Sequence, residues 1–271
     1  MDRGPTRAAP RQLPAAGGDG PLLFARYAYP PNELGYCGAD DHRALLEYGA
    51  SGIVDPGLGQ LARAFHGAWP YLELIAAATG VGDPLDARVV EAYWVGNRLL
   101  ERVGRSAFGA SLQERFRRQA GRAWQRLAES IPAGGLPHHA FHVFCVYPWV
   151  GLLGSEGAGG HPLHVLDRCR IRWGQVLTAD RDRVVVRCQP LTWDGRRLAL
   201  GAPEAESATR AVDGVGFVAH LRPGEWVSLH WDWVCDRLSA RQLAALRGYT
   251  ARVLDLTNRR LAHPGPAAVL S

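Results

Sequence analysis

The rhythm of hydrophobic and polar positions changes once along this chain, from helical spacing in the first half to short alternating runs in the second. Residues 1–20 hold Pro, Gly, Ala and Arg without any period. They lack the apolar surface that offsets the entropy of ordering, and read as a disordered tail. Phe24, Tyr27 and Tyr29 then lead into Pro30-Pro31-Asn32 and Gly35-Tyr36-Cys37-Gly38, an extended entry followed by a glycine-flanked turn. Helices are expected over residues 39–48, 57–66, 70–78 and 84–103. Asp55-Pro56 and Asp83-Pro84 each set a capping aspartate before a proline suited to the first helical position. Another helix is expected from Ser111, where Glu114 completes a capping box and Phe116, Ala120, Trp124, Leu127 and Ile131 form an apolar stripe.

Breaks rich in Pro and Gly at residues 132–137 and 155–160 isolate an aromatic stretch that carries His138, His139, His142 and Cys145. Period two fits part of it and a short helix fits it as well, so both readings stay open. After Pro162 the pattern turns to strands, over residues 169–177 and 184–188, with a turn at Asp180-Arg-Asp182 between them. Asp194-Gly195 and Asp213-Gly214 are hairpin signals. Residues 225–234, aromatic and β-branched after the Pro223-Gly224 turn, make the last strand, which ends near His230. Ser239 and Gln242 then cap a final helix, with Leu243, Leu246, Tyr249 and Val253 on its apolar face. The expected fold is α+β: a helical domain over residues 21–135, an aromatic connector over 136–162, and a small OB-like β-barrel with its C-terminal helix over 163–262.

A chain of 271 residues that is 47% hydrophobic has room for two modest domains. The net charge of +5 comes with arginine as the sole strongly basic residue, a bias of residue choice before it is a nucleic-acid footprint. No apolar run reaches the roughly 18 residues of a membrane span, and the N-terminus has no signal-peptide core, so a cytoplasmic location is expected. The five cysteines, Cys37, Cys145, Cys169, Cys188 and Cys235, form no Cys-x-x-Cys pair and read as reduced thiols.

Three groups of residues can carry metal chemistry. His139, His142 and Cys145 recur at intervals of three and would share a helical face as soft ligands. Cys37 lies close to Asp40, Asp41 and His42, whose carboxylates also suit a helix start. Glu73, Glu91 and Glu101 lack the Glu-x-x-His partner that a carboxylate-metal bundle uses. No nucleophile elbow, phosphate loop or dinucleotide fingerprint occurs.

The last third of the chain resembles the HypC/HupF family of [NiFe]-hydrogenase maturation chaperones. The resemblance rests on Cys169-Arg-Ile171-Arg-Trp-Gly174-Gln-Val176, on Gly224-Glu225-Trp226-Val227-Ser-Leu229-His230-Trp-Asp-Trp233, and on the helix after Ser239. Cys169 is internal here, Trp173 stands where the family has proline, and residues 191–214 are longer than the family needs, consistent with an added hairpin. The resemblance implies an assembly chaperone, rather than an enzyme, that handles iron as a transient Fe(CN)2CO unit. Its partners would be a HypD-like maturation protein or a hydrogenase large-subunit precursor. Cys169 and His230 map onto the family's metal-handling pair, and Trp173, Trp226, Trp231 and Trp233 are candidates for a docking patch. Two alternatives stand beside it: a metal- or small-molecule-dependent enzyme of the helical domain with the barrel as recruiting module, and an OB-fold nucleic-acid binder. Glu225, Asp232 and Asp236 on the key strand argue against the latter.

Overall fold

The computed structural model describes residues 20–120, 124–155 and 159–262. The tail expected over residues 1–20 lies outside this range except for Gly20. The chain is a mixed helix and sheet protein: a helical half, a multi-strand sheet and a long C-terminal helix.

The extended entry is instead a helix, α1, Gly20–Glu33, with Pro30 and Pro31 in its last turn. Proline reads as a breaker because it has no N–H to give and clashes with the preceding turn. Here tertiary burial overrides it: Phe24, Ala25, Tyr27 and Ala28 are fully buried. Helix α1 packs against α2 (His42–Ser51), α3 (Pro56–Arg63) and α5 (Ala87–Trp94). The caps of α2 and α3 follow the sequence, since Asp41 accepts from the Ala44 N–H and Asp55 from those of Gly57 and Leu58. Helix α4 is Trp69–Thr79.

The single helix expected over residues 84–103 is two pieces, α5 and a 3-10 turn at Arg98–Arg102. Gly96, at φ 98°, breaks it, and a Cβ there would lie 2.1 Å from the Tyr249 ring. Helix α6 runs Arg105–Ala120, so Ser111 and Glu114 lie inside it and cap nothing; α7 is Trp124–Ser130.

The stretch expected as a connector is folded into the centre of the molecule. His138 caps the single turn α8 (His139–Phe141), a π-turn covers His142–Val146, a 3-10 turn covers Pro148–Leu152, and every residue from His138 to Cys145 is buried. Cys169, expected to open a strand, is the last residue of α9 (His161–Cys169). Pro162 sits in the first turn of that helix, where the missing N–H costs nothing.

The strands are β1 (Arg172–Ala179), β2 (Arg183–Cys188), β3 (Leu191–Trp193), β4 (Leu198–Leu200), β5 (Glu204–Thr209), β6 (Ala211–Val212), β7 (Val215–Gly216), β8 (Trp226–His230) and β9 (Trp233–Arg237). Pairing runs β1-β2-β5-β9-β8 with β8 also on β1, and the parallel contact of β5 with β9 is the single pair Thr209↔Trp233. Alternation buries Val184 and Val186 of β2 beside Val176, Val227 and Val234. The hairpins expected at Asp194 and Asp213 join β3 to β4 and β6 to β7.

The strand expected over residues 225–234 is instead a hairpin of β8 and β9, turning at Trp231 and Asp232. Trp231 adopts φ 51° although nothing in its side chain favours that region. Helix α10 (Ala240–Ala262) starts with the capping box, Gln242 Oε1 accepting from the Ser239 N–H at 3.0 Å. It leans on α7, α8 and β4, and the helices and the sheet share one buried core.

Candidate metal site

Helix α1 lies between the helical half and the β8–β9 hairpin. The Tyr27 hydroxyl donates to Ser228 at 2.8 Å, and the indole N–H of Trp233 donates to Glu33 at 2.9 Å. Against this helix His230 is fully buried at the end of β8. Its Nδ1 lies 2.6 Å from the Tyr27 carbonyl oxygen. A carbonyl only accepts, so Nδ1 carries the hydrogen and Nε2 keeps its lone pair. That Nε2 is buried and makes no well-aligned hydrogen bond, although the Cys169 main-chain carbonyl acts on the ring as well as that of Tyr27.

His139 meets His230 with ring centroids 5.1 Å apart, and the indole of Trp94 packs on both rings. His139 Nε2 lies 2.8 Å from the Cys169 carbonyl oxygen, which fixes the hydrogen on Nε2 and leaves a lone pair on Nδ1, 3.3 Å from the Tyr93 hydroxyl. One donor atom from each of His139, Cys169 and His230 lies within 4.8 Å of the others, and all three residues are buried. Four-coordinate donors around zinc or ferrous iron stand roughly 3.3 to 3.6 Å apart, so a contraction of about 1 Å would bring these three onto one ion. One ring nitrogen of each histidine bonded to a main-chain carbonyl is the outer support that metal-binding imidazoles usually have.

The three residues line one cavity of about 270 Å³, walled by Phe65, Tyr93, Trp94, Tyr147 and Trp231. Tyr36, on the loop after α1, stacks on Trp231 with centroids 4.5 Å apart. Cys37 lines the same cavity. Its loop is pinned, because the Asn32 side-chain amide donates to the carbonyls of Cys37 and Ala39, and Gly38 at φ 95° leaves no room for a Cβ against Phe65.

Burial sets the protonation states. It lowers His139 from 6.5 to about 4 and His230 well below 6.5, so both imidazoles are neutral at pH 7. It pushes the Cys169 thiol far above its ordinary value and the Cys37 thiol up to about 12. Among the described residues the five cysteines are free thiols.

The other residues expected to act are placed apart from this cluster. His142 lies on the cavity wall with Nδ1 3.1 Å from the Tyr71 hydroxyl, and Cys145 faces Thr257, Sγ to Oγ1 3.8 Å, outside the cavity. The spacing of three therefore selects a common helical segment but not a common ligand set, since a π-turn rotates Cys145 away from His139. Asp41 is a helix cap. Glu91 pairs with Arg241 at 2.9 Å.

Of the proposed docking tryptophans, Trp173, Trp231 and Trp233 are buried by the chain's own residues, and Trp226 alone is half-exposed under the Arg247 guanidinium. Helix α1 packs on β8 and β9, and α10 packs on β4. Sequence reasoning missed the joining of His139 to Cys169 and His230, because no spacing connects positions so far apart. It also missed the placing of Cys37 in the same cavity.

Fold and site together define an α+β protein with a buried cluster of two histidines and one cysteine at the junction of a helical half and a sheet. No helix among the described residues is long and apolar enough to cross a membrane. The chain belongs to the Family of unknown function (DUF6390), whose model matches residues 16–264. Comparison with curated proteins and with solved structures gives no match.

Proposed function

We propose that this protein is an accessory chaperone of [NiFe]-hydrogenase maturation that holds an iron unit at Cys169 and His230. The observation that carries the reading is their convergence: two residues picked out by a family resemblance, one ending α9 and the other ending β8, place donor atoms within 4.8 Å of each other. A thiolate and an imidazole suit low-spin iron, and few protein ligands leave positions open for diatomics. The sheet with α10 is read as an OB-like, HypC-like barrel, and the β3–β4 hairpin as its addition. In this reading the protein works in the cytoplasm, receives the iron unit as cargo from a HypD-like partner, and passes it to a large-subunit precursor.

The test is anaerobic co-expression with hydrogenase maturation proteins, pull-down, iron analysis and infrared spectroscopy in the CO and CN stretching region. The expected result is partner capture with diatomic bands that vanish in Cys169→Ala and His230→Ala. Capture without bands removes the carrier role, and unchanged maturation by both variants removes the pair.

The cavity favours one second reading, a metal-dependent enzyme whose small substrate sits over the cluster. Turnover of a small molecule by the metal-loaded protein, without any maturation partner, would select it.

A further inference from the structure

We infer that His139 is a third protein ligand to the metal, supplied by the helical half, so that the ion is held by two imidazoles and one thiolate and fastens the two halves of the chain together. The inference rests on reading Cys169 and His230 as a metal pair, but not on the hydrogenase assignment.

Three observations carry it. The donor atom of His139 lies within 4.8 Å of those of Cys169 and His230, inside the same limit that holds the pair together. His139 is oriented by a main-chain carbonyl on one ring nitrogen, as His230 is, and the acceptor belongs to Cys169 itself. The buried Nε2 of His230 makes no well-aligned hydrogen bond, and the Cys169 carbonyl that also acts on its ring is already held by His139 at 2.8 Å. A metal ion in the cluster gives the Nε2 lone pair a partner and removes the cost of leaving it without one.

The chemistry balances simply. The two histidines are neutral and bring lone pairs without losing a proton. The Cys169 thiol gives up its proton to solvent as the metal–sulfur bond forms, and the charge of a divalent ion offsets the burial that otherwise keeps the thiol protonated. Three protein donors leave a fourth position, and the cluster lines the cavity where a soft exogenous ligand can take it. The helical half thereby acquires a role: it carries the clamp. Two donors, at the end of α9 and the end of β8, suit a transient carrier, whereas a third donor from the single turn α8 retains the ion until that turn shifts.

The test adds cobalt(II) to the purified full-length protein, reduced and without oxygen. Wild type is expected to bind one ion per chain with a thiolate-to-cobalt charge-transfer band and the strong visible bands of four-coordination. X-ray absorption of that same sample should count one sulfur and two imidazoles. His139→Asn should weaken binding by about tenfold or more, while Cys145→Ser leaves it intact. If His139→Asn binds as wild type does, or absorption counts one imidazole, the inference falls, even where Cys169→Ser and His230→Asn lose the ion and the two-ligand pair stands. If none of the three variants changes binding, pair and third ligand fall together. The absorption count on wild type decides the matter should His139→Asn fail to fold. Loss of hydrogenase maturation has no bearing on either outcome.

Discussion

His230 uses an acceptor that Pro31 leaves open. In a regular helix the Tyr27 carbonyl would accept from the N–H four residues on, but that residue is Pro31, which has none, and the carbonyl instead receives Nδ1–H of His230 at 2.6 Å. The second of two prolines in a buried helix thus sets the tautomer of a histidine far along the chain.

The consequence is measurable by nitrogen NMR of the imidazoles. Wild-type His230 should be the Nδ1–H tautomer throughout. Pro31→Ala introduces a competing N–H, and a mixed tautomer population is expected, with a loss of about 1 kcal/mol from the displaced bond partly returned by better helix geometry. A pure Nδ1–H signal in the variant would show that the hairpin alone orients the ring.

Acid should unfold the protein early. His138, His139, His142 and His230 are all buried, and burial lowers all four, to about 3 for His138 and about 4 for His139. Below the ordinary value of 6.5 the unfolded chain binds protons that the native chain refuses. Stability is therefore fully present above pH 6.5 and lost as pH falls toward the folded values, each histidine contributing up to about 1.4 kcal/mol per pH unit. Asp236, whose carboxyl is raised by burial, works in the opposite sense around the carboxylate range, one group against four. Urea midpoints at pH 7.5 and 5.0 check this. Equal midpoints would mean that the rings charge in place.

Much of this architecture is legible in the sequence where the signal is local. Asp41, Asp55 and Ser239 cap helices, and Asp194 and Asp213 turn hairpins, because each acts on main-chain groups within three residues. Where tertiary burial overrides local preference, the reading fails. The two prolines of α1 look like breakers, Cys169 looks like a strand residue beside Arg170 and Ile171, and Trp231-Asp232 carries no turn signal. The site divides the same way. Cys169 and His230 come through a family pattern, while their meeting with His139 depends on three segments packing around Trp94.

Gly96 is a position where only glycine serves. Its φ of 98° and the 2.1 Å approach of the Tyr249 ring to a built Cβ mean that Gly96→Ala must both strain the backbone and displace that ring. A loss of about 3 kcal/mol in a urea titration is expected. Gly80, the αL cap of α4 with open space around it, is the comparison: Gly80→Ala carries backbone strain alone and should lose about 1 kcal/mol. Equal losses at the two sites would show that Tyr249 yields freely.

Arg172 links the sheet to the site. Its guanidinium is 1% exposed, pairs with Glu206, and donates to the Trp231 carbonyl, while the Trp231 N–H donates to the Arg168 carbonyl at 2.7 Å. The residue that follows His230 is thus tied to the residue that precedes Cys169, and Arg172 holds the strained Trp231 in that tie. Glu206→Gln leaves a buried guanidinium without its carboxylate and should lose about 3 kcal/mol or more. Replacing both partners, Arg172→Met with Glu206→Leu, removes the stranded charge and should recover most of that stability, because Arg168, the other cation on Glu206 at 3.3 Å, keeps Asp232 at 3.1 Å. The Trp231 carbonyl then has no donor, so the double variant is expected to bind cobalt(II) more weakly than wild type although it folds as well. A double variant that recovers stability and cobalt affinity together would make Arg172 a fold residue alone. Recovery of stability without affinity assigns it the task of holding His230 and Cys169 in register.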